Sequence, residues 1–167
     1  MFQQVRVRDV YRYTKKYSIP YVLSLVKTST FSQHQDEMDE AKKLSQKYNE
    51  TLKDFTESVT IEVDGDKVKM ASHRYQLFLR DFQRNGSIVC TNCKLKGTYF
   101  YKEKHILSNP YHFNLYGIDY EGNEIQFTKD HIKPKSKGGT NNLKNYQTMC
   151  YRCNLLKKDT FISEKGN

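Results

Sequence analysis

The sequence predicts an α+β chain: a mainly helical first half, then a second half of short strands braced by cysteines. Three observations carry this. Apolar residues recur at three- and four-residue steps between residues 33 and 56, the period of a helix with one buried face. Strand-like runs broken by turn residues fill 98–128. Two Cys-x-x-Cys pairs, Cys90-Cys93 and Cys150-Cys153, hold all 4 cysteines of the chain.

The elements follow in chain order. Residues 5–30 mix apolar and basic side chains, and "SIPYVLSLVKTSTF" begins a helix with Pro20 in its first turn. Over 33–56, Met38, Ala41, Leu44, Tyr48, Leu52 and Phe55 form the apolar stripe of a long helix. Its acids come early and its lysines late, which suits the helix dipole. "VTIEVDGDKVKM" alternates on both sides of Asp64-Gly65 and predicts a hairpin. "SHRYQLFLRDFQRNG" predicts a helix capped by Ser72 and closed at Gly86. The predicted divisions are 1–86, mainly helical with this hairpin, then 87–160, then a tail over 161–167.

The 167 residues carry 28 Lys and Arg against 19 acids, a formal charge of +9. The excess is greatest between Lys129 and Lys158, where eight basic residues accompany one acid, Asp130. Such a balance favours a polyanionic partner, here nucleic acid. No run of 18 apolar residues exists, so no membrane span is expected. The first residues, "MFQQVRVRDVYRY", lack the apolar core of a signal peptide. A cytoplasmic setting is therefore expected.

Paired Cys-x-x-Cys motifs let both thiolates of each pair face one ion, and two pairs complete a tetrahedron. Zinc is the expected ion, with iron the alternative. Disulfides or free core cysteines are the bland alternative, but no secretory segment is expected. An all-sulfur site leaves no position for water, so the ion would be structural. It would also force the chain between the pairs to return to its origin, enclosing Asp130 and His131.

Within that enclosure lie Asp130, His131, Asn145 and Asn154. Aspartate carboxylate and asparagine carbonyl suit a hard divalent ion such as Mg²⁺. Histidine can accept a proton near neutral pH. Asp-His alone is a weak signal. The full run "DHIKPKSKGGTNNLKNYQTMCYRCNLLKKD" is a strong one, and residues from about Cys90 to Asp159 resemble the HNH, or ββα-metal, nuclease family, in its subclass braced by four zinc-binding cysteines.

The resemblance implies a ββα core: a strand "EIQFTKDH", a short strand "YQTM" and a helix from Cys150 to about Asp159. It implies His131 as general base, and Asn145 as the residue that braces the loop and so the histidine. It implies Asp130 and Asn154 as ligands of a catalytic Mg²⁺ or Mn²⁺, and Cys90, Cys93, Cys150 and Cys153 as ligands of structural zinc. Double-stranded DNA is the implied partner, with Lys133, Lys135, Lys137, Arg152, Lys157 and Lys158 as phosphate contacts. The activity implied is cleavage of a phosphodiester to 5′-phosphate and 3′-hydroxyl ends, by a protein similar to phage or mobile-element homing nucleases or to restriction nucleases of bacteria. The setting would then be a bacterial or phage-infected cell, with monomer and homodimer both open. A zinc-braced DNA-binding module that does not cut is the alternative.

One departure stands out. Cys93 and His131 are 38 residues apart, longer than in compact members, and the extra residues predict an inserted hairpin. His34 is expected to be solvent-exposed and His73 a surface or capping residue, while His105 and His112 fall in the inserted hairpin, with an approach to the site as the alternative to a bland role.

Overall fold

The computed structural model describes residues 3–26, 60–70, 73–107 and 110–160. The predicted long helix over 33–56, His34, the Ser72 cap and the tail 161–167 lie outside the described residues.

The chain opens with strands, not helices. Strands β1 (Gln4–Val7) and β2 (Val10–Tyr17) form a hairpin, and β2 pairs antiparallel with β5 (Gly97–His105) from Val10↔His105 to Tyr17↔Phe100. The expected mainly helical N-terminal extension is therefore not supported by the described residues. Two features hid the strands. The β1–β2 turn uses Arg8 at φ 53°, where Asn or Gly would be the usual signal. One charge on β2 is also shielded from solvent: Arg12 bonds Glu103 at 2.6 Å and Glu124 at 2.8 Å, and its guanidinium lies 4.0 Å from the Tyr101 ring centre.

Other expectations hold. Helix α1 (Ile19–Ser24) is capped by Ser18 and has Pro20 in its first turn. Strands β3 (Thr60–Val63) and β4 (Asp66–Lys69) turn at Asp64 (φ 49°) and Gly65 (φ 81°), the paired positive angles that an Asp-Gly turn supplies. Helix α2 (His73–Asn85) ends at Gly86 (φ 69°). The insertion is a hairpin of β5 and β6 (His112–Ile118). Then come β7 (Glu124–His131), β8 (Tyr146–Cys150) and helix α3 (Tyr151–Lys157), the two strands and helix that the motif predicts.

The main sheet has six strands in the order β1-β2-β5-β6-β7-β8, all antiparallel. The inserted hairpin is thus the middle of the sheet and links the N-terminal strands to the β7–β8 pair. Val22, Phe78, Phe100, Phe113, Leu115 and Phe127 are fully buried in the core. Burial of each such side chain contributes about 1.5–3 kcal/mol. Helix α2 also braces the C-terminal strands by polar contacts. Arg80 donates to the carbonyls of Leu143 (3.0 Å) and Tyr146 (3.3 Å), and Thr148 donates to Asp81 at 2.7 Å.

Candidate active site

The β7–β8–α3 unit carries a cluster of functional side chains at each end. At one end the four cysteine sulfurs lie within 4.8 Å of one another, with Cys93 and Cys150 at 3.7 Å. Four metal–sulfur bonds of about 2.3 Å in a tetrahedron place the sulfurs about 3.8 Å apart, whereas a disulfide is about 2.05 Å. The cysteines are free of disulfides, and the cluster fits one metal ion such as zinc. Cys90 and Cys93 form a tight knuckle. Cys90 N–H donates to the Leu95 carbonyl, and Lys94 N–H, at φ 65°, donates back to the Cys90 carbonyl. Burial works against ionising Cys90, yet backbone hydrogen bonds around Cys150, Cys93 and Asn92 outweigh it and bring the thiol down to about 7. The Asn92 amide also donates to Cys153 Sγ at 3.3 Å. Thr91 ties the knuckle to β8, with both its N–H and its hydroxyl on the Thr148 carbonyl.

At the other end, Asp130, His131 and Asn154 line one cavity of about 380 Å³, together with Lys129, Lys135, Lys158 and others. Asp130 is buried on the strand face that α3 covers. Its Oδ2 accepts from Gln147 at 2.9 Å and pairs with Lys157 at 2.9 Å. Lys157 also donates to the His131 carbonyl at 2.8 Å, so one ammonium fixes both residues at the strand end. Asn154 stands on α3, and its amide donates to Thr128 Oγ1 at 2.9 Å. That orientation is chemically determined. Thr128 has a single hydroxyl proton and gives it to the Met149 carbonyl at 2.9 Å, so it can only accept from Asn154. Asn154 Oδ1 is the atom left to face a cation.

His131 closes β7 opposite Tyr146. Its ring meets the Tyr146 ring edge-on, 4.8 Å between centres, and its Nε2 lies 3.0 Å from Asn141 Oδ1. Asn145 does not enter this cavity. It laces the following loop instead: its Oδ1 accepts from Lys133 N–H, and its Nδ2 donates to the carbonyls of Lys133 and Thr140. Its own carbonyl accepts from Ile132 N–H at 2.8 Å. The loop also needs Gly139, where a Cβ would come within 1.8 Å of the Lys133 carbonyl oxygen.

The six basic candidates divide. Lys133, Lys135, Lys137 and Lys158 are exposed. Arg152 is exposed but bonded to Asp119 at 2.7 Å, which pins α3 to the β6–β7 turn. Lys157 departs from the expectation. It is only 6 % exposed and paired with Asp130, so it sits in the wall of the cavity and not on the open surface. The basic run suggested a surface residue, but Lys157 lies one helical turn past Cys153 and shares its inward face. Three more residues escaped the sequence reading: Thr128, which orients Asn154; Gln147, which holds Asp130; and Asn141. Helix packing on β7 reveals the first and cross-strand register the second. Lys129, half-buried, holds its ammonium 4.2 Å from the Tyr146 ring centre, and burial followed by Lys135 and Arg74 lowers its pKa. In the inserted hairpin, His105 accepts from Leu107 N–H at a strand end, while burial, Arg74 and Lys69 lower the pKa of His112.

Two antiparallel strands, a helix, an acid–histidine pair at the strand end and a four-sulfur cluster make up a ββα module. The family model described as HNH endonuclease matches residues 119–160, so this segment is an HNH domain, a family of nucleases. No curated protein and no solved structure matches the chain. Among the described residues no helix is long and apolar enough to cross a membrane.

Proposed function

We propose that the chain is a metal-dependent DNA endonuclease whose reaction takes place in the Asp130–His131–Asn154 cavity. The observation that carries this is that Asn154, its amide fixed through Nδ2 on Thr128, lines one cavity with Asp130 and His131. A bound Mg²⁺ or Mn²⁺ would supply charge for the departing 3′ oxygen and the transition state. Asp130 and Asn154 Oδ1 are hard oxygen donors that suit such an ion. Lys157 holds Asp130 in place before the ion arrives, and Gln147 shares that task. His131 accepts the proton of a water that attacks phosphorus, and the products carry 5′-phosphate and 3′-hydroxyl. Asn145 holds the loop that follows His131. Zinc in the cysteine cluster keeps the strands and helix together and takes no part in the reaction. Lys133, Lys135, Lys137 and Lys158 meet the phosphates of duplex DNA.

The non-cutting reading draws on one observation: Asp130 already has a cation, Lys157. Incubating zinc-loaded protein with supercoiled plasmid, with and without added Mg²⁺, separates the two. Cleavage that requires Mg²⁺ and leaves ends that a ligase reseals is the expected result. Plasmid that is bound and never cut, across Mg²⁺ and Mn²⁺, supports the non-cutting module.

A further inference from the structure

We propose that Asn141 is a positioning residue for His131: it holds the imidazole by Nε2 and leaves Nδ1 as the basic nitrogen. The proposal rests on the reading of His131 as the base. It arises from a chain of contacts that runs from the ring through Asn141 and Tyr146 to His73.

Asn141 Oδ1 lies 3.0 Å from His131 Nε2 and 3.4 Å from the Tyr146 hydroxyl. The same hydroxyl lies 3.3 Å from His73 Nδ1 on α2. Tyr146 is 1 % exposed, and its ring touches both imidazoles: the His131 ring edge-on at 4.8 Å, the His73 ring tilted at 5.3 Å. Arg80 of α2 holds the Tyr146 carbonyl. The phenol is therefore a fixed post, and Asn141 bridges from it to His131. Asn141 itself is placed by its neighbours. Asn145 bonds the Thr140 carbonyl, and Asn142 caps the next short helical turn by accepting from Lys144 N–H at 2.9 Å.

A carboxamide oxygen can only accept. With Oδ1 towards the ring, Nε2 must carry the proton in neutral imidazole, and the lone pair sits on Nδ1. A histidine that removes a proton from water needs one defined lone pair, and the hydrogen bond at the other nitrogen sets which one. Among the described residues, no hydrogen-bond partner holds Nδ1, and His131 borders the cavity that Asp130 and Asn154 share. Through Tyr146 the constraint reaches α2, which gives His73 and the first half of the chain a place in aligning the site.

The test is the tautomer of His131, read by ¹⁵N NMR of the neutral ring in zinc-loaded protein without DNA, together with cleavage kinetics. Asn141 is exposed, so substitution there leaves the core alone. Wild type should show the Nε2–H form. Asn141→Leu, which removes the acceptor, should give a mixture, with kcat lower by about tenfold to a hundredfold, the range seen when an outer partner of a site residue is lost, and KM little changed. Asn141→Asp, which keeps an acceptor at that place, should restore both tautomer and kcat. An Nδ1–H form in wild type, or the same tautomer in wild type and Asn141→Leu, overturns the proposal. A tautomer that responds as stated in a protein that never cuts DNA upholds the link from Asn141 to His131 and overturns the base assignment instead.

Discussion

The two ends of the β7–β8–α3 unit solve different problems with the same strands and helix. At the cysteine end the four sulfurs gather within 4.8 Å of one another, supported by N–H donors such as the Asn92 amide, and the cluster fits one metal ion. At the acid end every side chain already has a protein partner: Asp130 has Lys157 and Gln147, Asn154 has Thr128, and His131 has Asn141. In the proposed reading a metal ion assembles the first site, whereas the second is already held by hydrogen bonds and an ion pair. Loss of metal should therefore unfold the chain at one end and only silence it at the other.

The largest effect should follow from Cys90→Ser. Structural zinc in small modules carries apparent binding free energies of about 10–16 kcal/mol, much of it folding free energy. The variant should lose zinc by elemental analysis and lose its cooperative thermal transition. Withholding Mg²⁺ from wild type should leave that transition in place while cleavage stops.

Lys157→Met should come next. It leaves Asp130 buried without its cation, and breaking such a pair costs about 3–5 kcal/mol. Urea unfolding should show that loss. If the acid end is a cation site, Mg²⁺ should stabilise this variant more than wild type. An equal gain in both would mean that Asp130 is not a ligand.

Thr128→Val removes the hydroxyl that orients Asn154 and keeps the strand's shape. We expect a loss of about 1 kcal/mol in stability and a tenfold to hundredfold weaker apparent Mg²⁺ affinity, read from the Mg²⁺ dependence of cleavage. Unchanged Mg²⁺ dependence would sever Thr128 from the site. The smallest effects belong to Lys133, Lys135, Lys137 and Lys158. Each change to Ala should lower DNA affinity a few-fold and flatten the slope of log affinity against log salt by about 1, whatever the DNA sequence. A change confined to one DNA sequence would mark base contact.

The same contrast governs what could be read in advance. The cysteine end was legible because ligand spacing along the chain dictates ligand convergence. Asp130, His131 and Asn154 were legible as a motif, and β7, β8 and α3 were found where that motif put them. Their holders were not. They are ordinary polar residues until strand register sets Gln147 against Asp130, helix packing sets Asn154 against Thr128 and the loop brings Asn141 to His131. Lys157 misled because a basic run reads as surface, although its spacing from Cys153 turns it inward. The first half was least legible. Asp64-Gly65 announced its hairpin by the positive φ angles it favours, whereas Arg8 gave no such sign. Arg12 gave no sign of its pairing because its acids, Glu103 and Glu124, lie on strands far along the chain.

The central claim is that His131 takes a proton during DNA cleavage at the acid end. Its most direct test compares the Mg²⁺-dependent cleavage rate of wild type with that of His131→Ala, on protein shown to keep zinc and the same thermal transition. A positioned general base contributes about 10²–10⁴-fold, so the variant should be slower by at least about a hundredfold. Equal rates would contradict the account.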